Sequence, residues 1–145
     1  RTKKDFNLDV TKIIAERLGA EYTSNDFFDK LEINGKDLIV YGKHGTRFSK
    51  SPQLAMRGFI QDMSSIHADL CMMGHNHFSE FSSKYIRDYN GGKRRYYCFT
   101  GHFLNYENSY AHNQGKDMSL CGFQRLEVTN NGSINSKNYY LDEVR

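Results

Sequence analysis

Apolar residues recur along this chain with two periods, and the change from one to the other marks out its elements. Val10, Ile13, Ile14 and Leu18 fall at i, i+3, i+4 and i+8, one face of a helix, with Gly19 placed as its C-terminal stop. The polar stretch Thr23-Ser24-Asn25-Asp26 separates that helix from a hairpin. Phe27 to Ile33 supplies one strand, Asn34-Gly35 suits a type I′ turn, and Asp37 to Tyr41 returns. Ser51-Pro52 then opens a second helix, with serine as N-cap and proline in the first turn. Met56, Phe59, Ile60 and Met63 give it one apolar face, and the pattern carries it to about Ile66. The apolar run Leu70 to Met73 follows almost at once as a buried strand. Strand, helix and strand in this order form a βαβ unit, which predicts parallel pairing through a right-handed crossover.

Beyond His77 the pattern turns to β. Phe78 to Tyr89 and Lys93 to Thr100 flank the turn residues Asn90-Gly91-Gly92, and Met118 to Val128 pairs with Ile134 to Leu141 around Asn130-Asn131-Gly132. Between these hairpins Gly101 to Asp117 is a loop rich in Asn, Gly, His and Tyr, long enough to suggest a functional segment. The fold class is therefore α/β: a βαβ unit followed by a β-rich C-terminal sheet. Residues 1–145 make a single domain with no internal repeat, low-complexity tract or linker.

Composition narrows the setting. Net charge is +3, from 20 basic and 17 acidic side chains, which permits an anionic partner without naming one. The longest apolar run is far below the roughly 20 residues a membrane span needs, and no signal-peptide pattern is present, so no membrane partner is expected. Cys71, Cys98 and Cys121 are odd in number and lack C-x-x-C spacing, which argues against disulfides and a cysteine zinc site. Each lies in an apolar run, as reduced and buried thiols do, and this points to a cytoplasmic compartment.

The chemistry concentrates in Gly74-His75-Asn76-His77, directly after the buried strand. On an extended backbone, alternate residues point the same way, so His75 and His77 are expected to converge. His44 ends the run Leu38-Ile39-Val40-Tyr41-Gly42-Lys43, on the other strand of the same βαβ unit. The C-terminal ends of parallel strands are where open α/β sheets place their sites, and neutral imidazole is a common metal ligand. A lone histidine at a strand end is more often a surface residue. Three of them, with Gly45 and Gly74 beside them to relieve crowding, make a metal site the expectation.

Val40-Tyr41-Gly42-Lys43-His44-Gly45 and Asp69-Leu70-Cys71-Met72-Met73-Gly74-His75-Asn76-His77 resemble the last two motifs of the calcineurin-like metallophosphoesterases, H-G and G-H-x-H, separated by a helix. The resemblance covers most of the chain. It implies part of a four-layer α/β/β/α sandwich and hydrolysis of a phosphomonoester or phosphodiester by a metal-bridging hydroxide. It also implies two divalent ions (Mn, Fe or Zn), with His44 and His75 on the second and His77 on the first. The family's D-x-H, G-D-x-x-D and G-N-H-[DE] motifs are absent, and with them the bridging carboxylate and the catalytic histidine. The chain therefore resembles the C-terminal half of such an enzyme. Alone it is expected to be inactive and to hold at most one ion weakly. A missing N-terminal half or a second copy would be needed to complete the sheet.

Two further residues are expected to contact the substrate phosphate: Arg47, close after His44, and His102, at the mouth of the long loop. The competing reading is a nucleic-acid-binding module without metal chemistry. It would use Lys93, Arg94, Arg95 and Tyr96, which mix basic and aromatic side chains as single-strand binders do.

Overall fold

The computed structural model describes residues 9–45, 49, 51–87, 89, 91–103 and 121–141. Helix α1 (Val10–Leu18) starts at Asp9, whose carboxylate accepts from the Lys12 N–H and from the Tyr22 hydroxyl. It stops at Gly19, which adopts φ 64° and returns its N–H to the carbonyls of Ala15 and Glu16. Strands β1 (Asp26–Ile33) and β2 (Lys36–Lys43) form the expected antiparallel hairpin. Asn34 and Gly35 sit at φ 53° and 72°, the two positive values that a type I′ turn requires.

Helix α2 (Pro52–Asp62) is capped by the Ser51 hydroxyl and buries Ala55, Met56 and Phe59. It ends four residues short of Ile66. The guanidinium of buried Arg95 donates to the Met63 carbonyl at 3.2 Å, and Ser64 and Ser65 follow, both poor helix-interior residues. β3 (Leu70–Met73) lies parallel to β2, which completes the βαβ unit.

β4 (Ser79–Ile86) and β5 (Lys93–His102) form the next antiparallel hairpin, and β5 also lies parallel to β3. β5 runs two residues further than its sequence pattern indicates. Gly101 and His102 pair with β6 (Gly122–Val128), and β6 pairs with β7 (Ile134–Tyr140). The crossing is tight: a Cβ on Gly101, at φ 82°, would lie 2.4 Å from the Gly122 carbonyl oxygen. All seven described strands thus join in one sheet, in the order β1-β2-β3-β5-β6-β7 with β4 on β5.

Alternation along the central strands feeds two cores. Tyr41, Cys71, Met73, Tyr97 and Phe99 pack under α2, where Phe59 is fully buried and its ring stacks 5.4 Å from that of Phe99. Leu38, Val40, Leu70, Tyr96 and Cys98 face the other way, against Ile134, Leu126 and Val128 of the β6–β7 hairpin. Helix, sheet and hairpin are stacked in that order. β1 is the outer strand on its side and is exposed along nearly all its length, including Phe27, Phe28 and Leu31. No described helix is long and apolar enough to cross a membrane.

Candidate metal centre

The C-terminal ends of β2 and β3 are neighbours because the strands are parallel and in register, Lys43 beside Met73. The ladder runs one step further, from the Gly74 N–H to the Lys43 carbonyl at 3.2 Å. Beyond it both chains must turn. Gly45 takes φ 88°, and a Cβ there would meet the Met73 side chain at 2.6 Å, so glycine is required by backbone and space alike.

The segment after Gly74 is not extended, which corrects the reason expected for the histidines to converge. Asn76 returns its N–H to the Gly74 carbonyl at 2.9 Å, a three-residue turn centred on His75. His75 adopts φ 72° and His77 φ 58°, a left-handed backbone that costs about 1–3 kcal/mol at a non-glycine residue. Strain of this size at two histidines flanking one residue points to a demand on where their rings go. Asn76 between them is turned inward and 4 % exposed, and neither its Oδ1 nor its Nδ2 has a hydrogen-bond partner among the described residues.

The turn sends the two imidazoles to different partners. His75 meets His44, with Nδ1 to Nε2 at 3.2 Å and the rings nearly perpendicular at 73°. His77 meets His102, with ring centroids 5.1 Å apart and the planes tilted by 37°. His44 and His75, expected on one ion, thus lie together, and His77, expected on the other, lies beside His102. Among the described residues no three His, Cys, Asp or Glu side chains gather closely enough to hold an ion together. Arg47 lies outside the described residues.

The two rings share a hydrogen bond as they stand, and the same nitrogen separation is one that two ligands of a single ion would have. Metal–imidazole bonds of about 2.0–2.1 Å place adjacent nitrogens about 2.9–3.4 Å apart around an octahedral or tetrahedral ion. A separation of 3.2 Å falls inside that range, and both rings are exposed. Among the described residues the pair does not grow into a group of three such side chains, so it fits one part of a centre.

A cavity of about 390 Å³ opens beside His44, lined also by Lys43, Gly74, Thr100, Tyr22, Ser24 and Phe27. The described acid that lines it, Asp26, accepts from the Tyr41 hydroxyl at 2.8 Å. Burial first, and that carboxylate second, push the phenol up to about 12. No local pattern singles out Lys43 or Thr100. Thr100 comes close to Gly74 only because β5 lies beside β3.

Of the basic-aromatic run, Lys93 and Arg94 are exposed and Arg95 and Tyr96 are turned into the protein. Arg95 and Tyr96 are each 5 % exposed, and Tyr96 stacks on Phe81 at 5.7 Å. Lys93 is held by Asp69 at 2.7 Å. The cysteines are thiols, with Cys71 and Cys98 buried and Cys121 half-buried. Burial pushes Cys71 up to about 11 and Cys98 up to about 12, so neither is a reactive thiolate at neutral pH. His67 is exposed at the far end of β3, away from the other imidazoles. The sequence matches no family model and no curated protein, so what the paired imidazoles do rests on their own geometry and chemistry.

Proposed function

We propose that this chain is the histidine-bearing part of a metal-dependent phosphoesterase, acting on a phosphomonoester or phosphodiester. One observation carries the reading: His75 Nδ1 lies 3.2 Å from His44 Nε2, at ligand spacing, across the C-terminal ends of two parallel strands. His44 and His75 would hold one divalent ion (Mn, Fe or Zn), and His77 would contribute to a second. When bound, such ions neutralise the phosphoryl oxygens and activate a water for attack on phosphorus.

The chain's own side chains bind and orient. Lys43, exposed in part on the cavity wall beside His44, attracts the anionic ester, and His102 and Arg47 contact its phosphate. The carboxylates that such a centre needs come from polypeptide outside these residues, either an N-terminal half or a second copy. In that reading helix, sheet and hairpin are part of a four-layer α/β/β/α sandwich, and three free thiols suit the cytoplasm.

Titration calorimetry of the chain with Mn²⁺ or Zn²⁺ tests the proposal. The expected result is binding that weakens about tenfold or more in His44→Ala and in His75→Ala, since a metal site that loses one of its few ligands loses most of its affinity. Absence of binding, or binding that both substitutions leave intact, would overturn it. Hydrolysis of bis(4-nitrophenyl) phosphate should stay at background for these 145 residues alone.

A further inference from the structure

We infer that the pole of the sheet opposite the histidines holds a second, separate binding site, for a small organic phosphate with an apolar body. β3 begins only at Leu70, level with Val40 on one side and Tyr96 on the other. β2 begins at Lys36 and β5 at Lys93, so both run past the start of β3. The β6–β7 turn closes over this notch, tied to the β1–β2 turn by the Asn34 amide, which donates to Asn130 at 3.0 Å. What remains is a cavity of about 390 Å³, the size of a small-molecule site.

Its lining has two characters. Leu38, Tyr96, Ile33 and Val128 form an apolar floor that continues the second core. The rim is charged, and its charges do not cancel locally. Asp69 is taken by Lys93 at 2.7 Å, and Asp37 by Lys30 at 3.0 Å. Lys36 and Arg94, on opposite sides of the notch, have no carboxylate partner among the described residues. Asn131 completes the rim. Its Oδ1 accepts from the Thr129 hydroxyl and the Ser133 N–H, which leaves its NH₂ to donate.

Two cations that no described carboxylate compensates and an amide donor, above an apolar floor, select for both ends of one ligand. A phosphate-type dianion satisfies both cations through charge-assisted hydrogen bonds, and an aryl or alkyl body displaces water from the floor. Inorganic phosphate supplies only the first half, and a neutral apolar molecule only the second. The site shares no residue with the histidine pairs and lies at the opposite ends of the same strands, so it stands whether or not those pairs bind metal.

Titration of the chain with phenylphosphonate, an aryl dianion that cannot be hydrolysed, tests this, with inorganic phosphate as comparison. Phenylphosphonate is expected to bind more tightly than phosphate. Binding should weaken about tenfold or more in Lys36→Ala and in Arg94→Ala, one charge-assisted contact each, and remain unchanged in His75→Ala. Both substituted cations are surface side chains, so the fold is retained. Equal affinity in a Lys36→Ala/Arg94→Ala double variant would overturn the inference. Loss of binding in His75→Ala would overturn it too, because the anion would then sit at the histidines. Phosphate binding as tightly as phenylphosphonate would remove the apolar floor from the account.

Discussion

His75 is held at φ 72° by a three-residue turn, and that backbone has a cost a glycine would not incur. His75→Gly is therefore expected to raise stability by about 1 kcal/mol, the left-handed penalty less the extra unfolded-state entropy of glycine, while weakening metal binding about tenfold or more. A urea denaturation midpoint and a metal titration on the same variant check the two halves. A variant that is both less stable and still metal-competent would show that the turn is not under strain for the site. Cys98 gives a second prediction at this scale. Its folded value, about 12, stands above the ordinary 9.0, so the native state holds the proton more tightly than the unfolded chain. Its contribution to stability is complete below about pH 9 and is lost as pH rises from there towards 12. Denaturation midpoints that fall between pH 8.5 and 10.5, and that fall less in Cys98→Ala, would bear this out. In the native protein at pH 8, Cys98 should stay inert to a thiol reagent.

Among the elements, α2 and the start of β3 carry the frame that brings the histidine strands together. Phe59 is fully buried between α2 and the rings of Tyr97 and Phe99, so Phe59→Ala should cost about 3–5 kcal/mol, read from chemical denaturation. Asp69 ties three strands at the opposite pole. Its carboxylate accepts from the Ile39 N–H at 2.9 Å and from Lys93, and its backbone bonds to both Ile39 and Tyr96. Asp69→Ala leaves the partly buried Ile39 N–H unpaired and should cost about 1–3 kcal/mol, with metal affinity unchanged because the histidines stand at the other ends of these strands. Most of these elements were legible in the sequence. The periods of Val10 to Leu18 and Met56 to Met63, the Asn34-Gly35 turn and the Leu70 to Met73 run are local features, and local geometry follows local side chains. The end of α2 was not legible, because it is set by Arg95, which is 32 residues away. The last two residues of β5 were missed because Gly101 and His102 look like loop until β6 arrives to pair with them.

Taken whole, the molecule is unevenly covered. α2 closes one face of the sheet and the β6–β7 hairpin closes part of the other, yet β1 presents Phe28 at 59 % and Leu31 at 43 % exposure along an outer edge. A strand edge that the described residues leave uncovered, with apolar side chains along it, invites pairing with another chain. The protein is therefore expected to self-associate as its concentration rises, and Phe28→Lys with Leu31→Lys should return it to monomer in sedimentation experiments. Association that the double variant leaves untouched would place the contact elsewhere. The sequence by itself determined the elements, the βαβ order and the delivery of His44, His75 and His77 to strand ends, because periodicity, caps and turn residues act over a few positions. Only the tertiary structure decided how those imidazoles are shared out. His44 faces His75 because β2 and β3 are parallel and in register, and His77 faces His102 because β5 lies beside β3. Strand neighbours and their register depend on packing between residues far apart in the chain, and no local pattern encodes that choice.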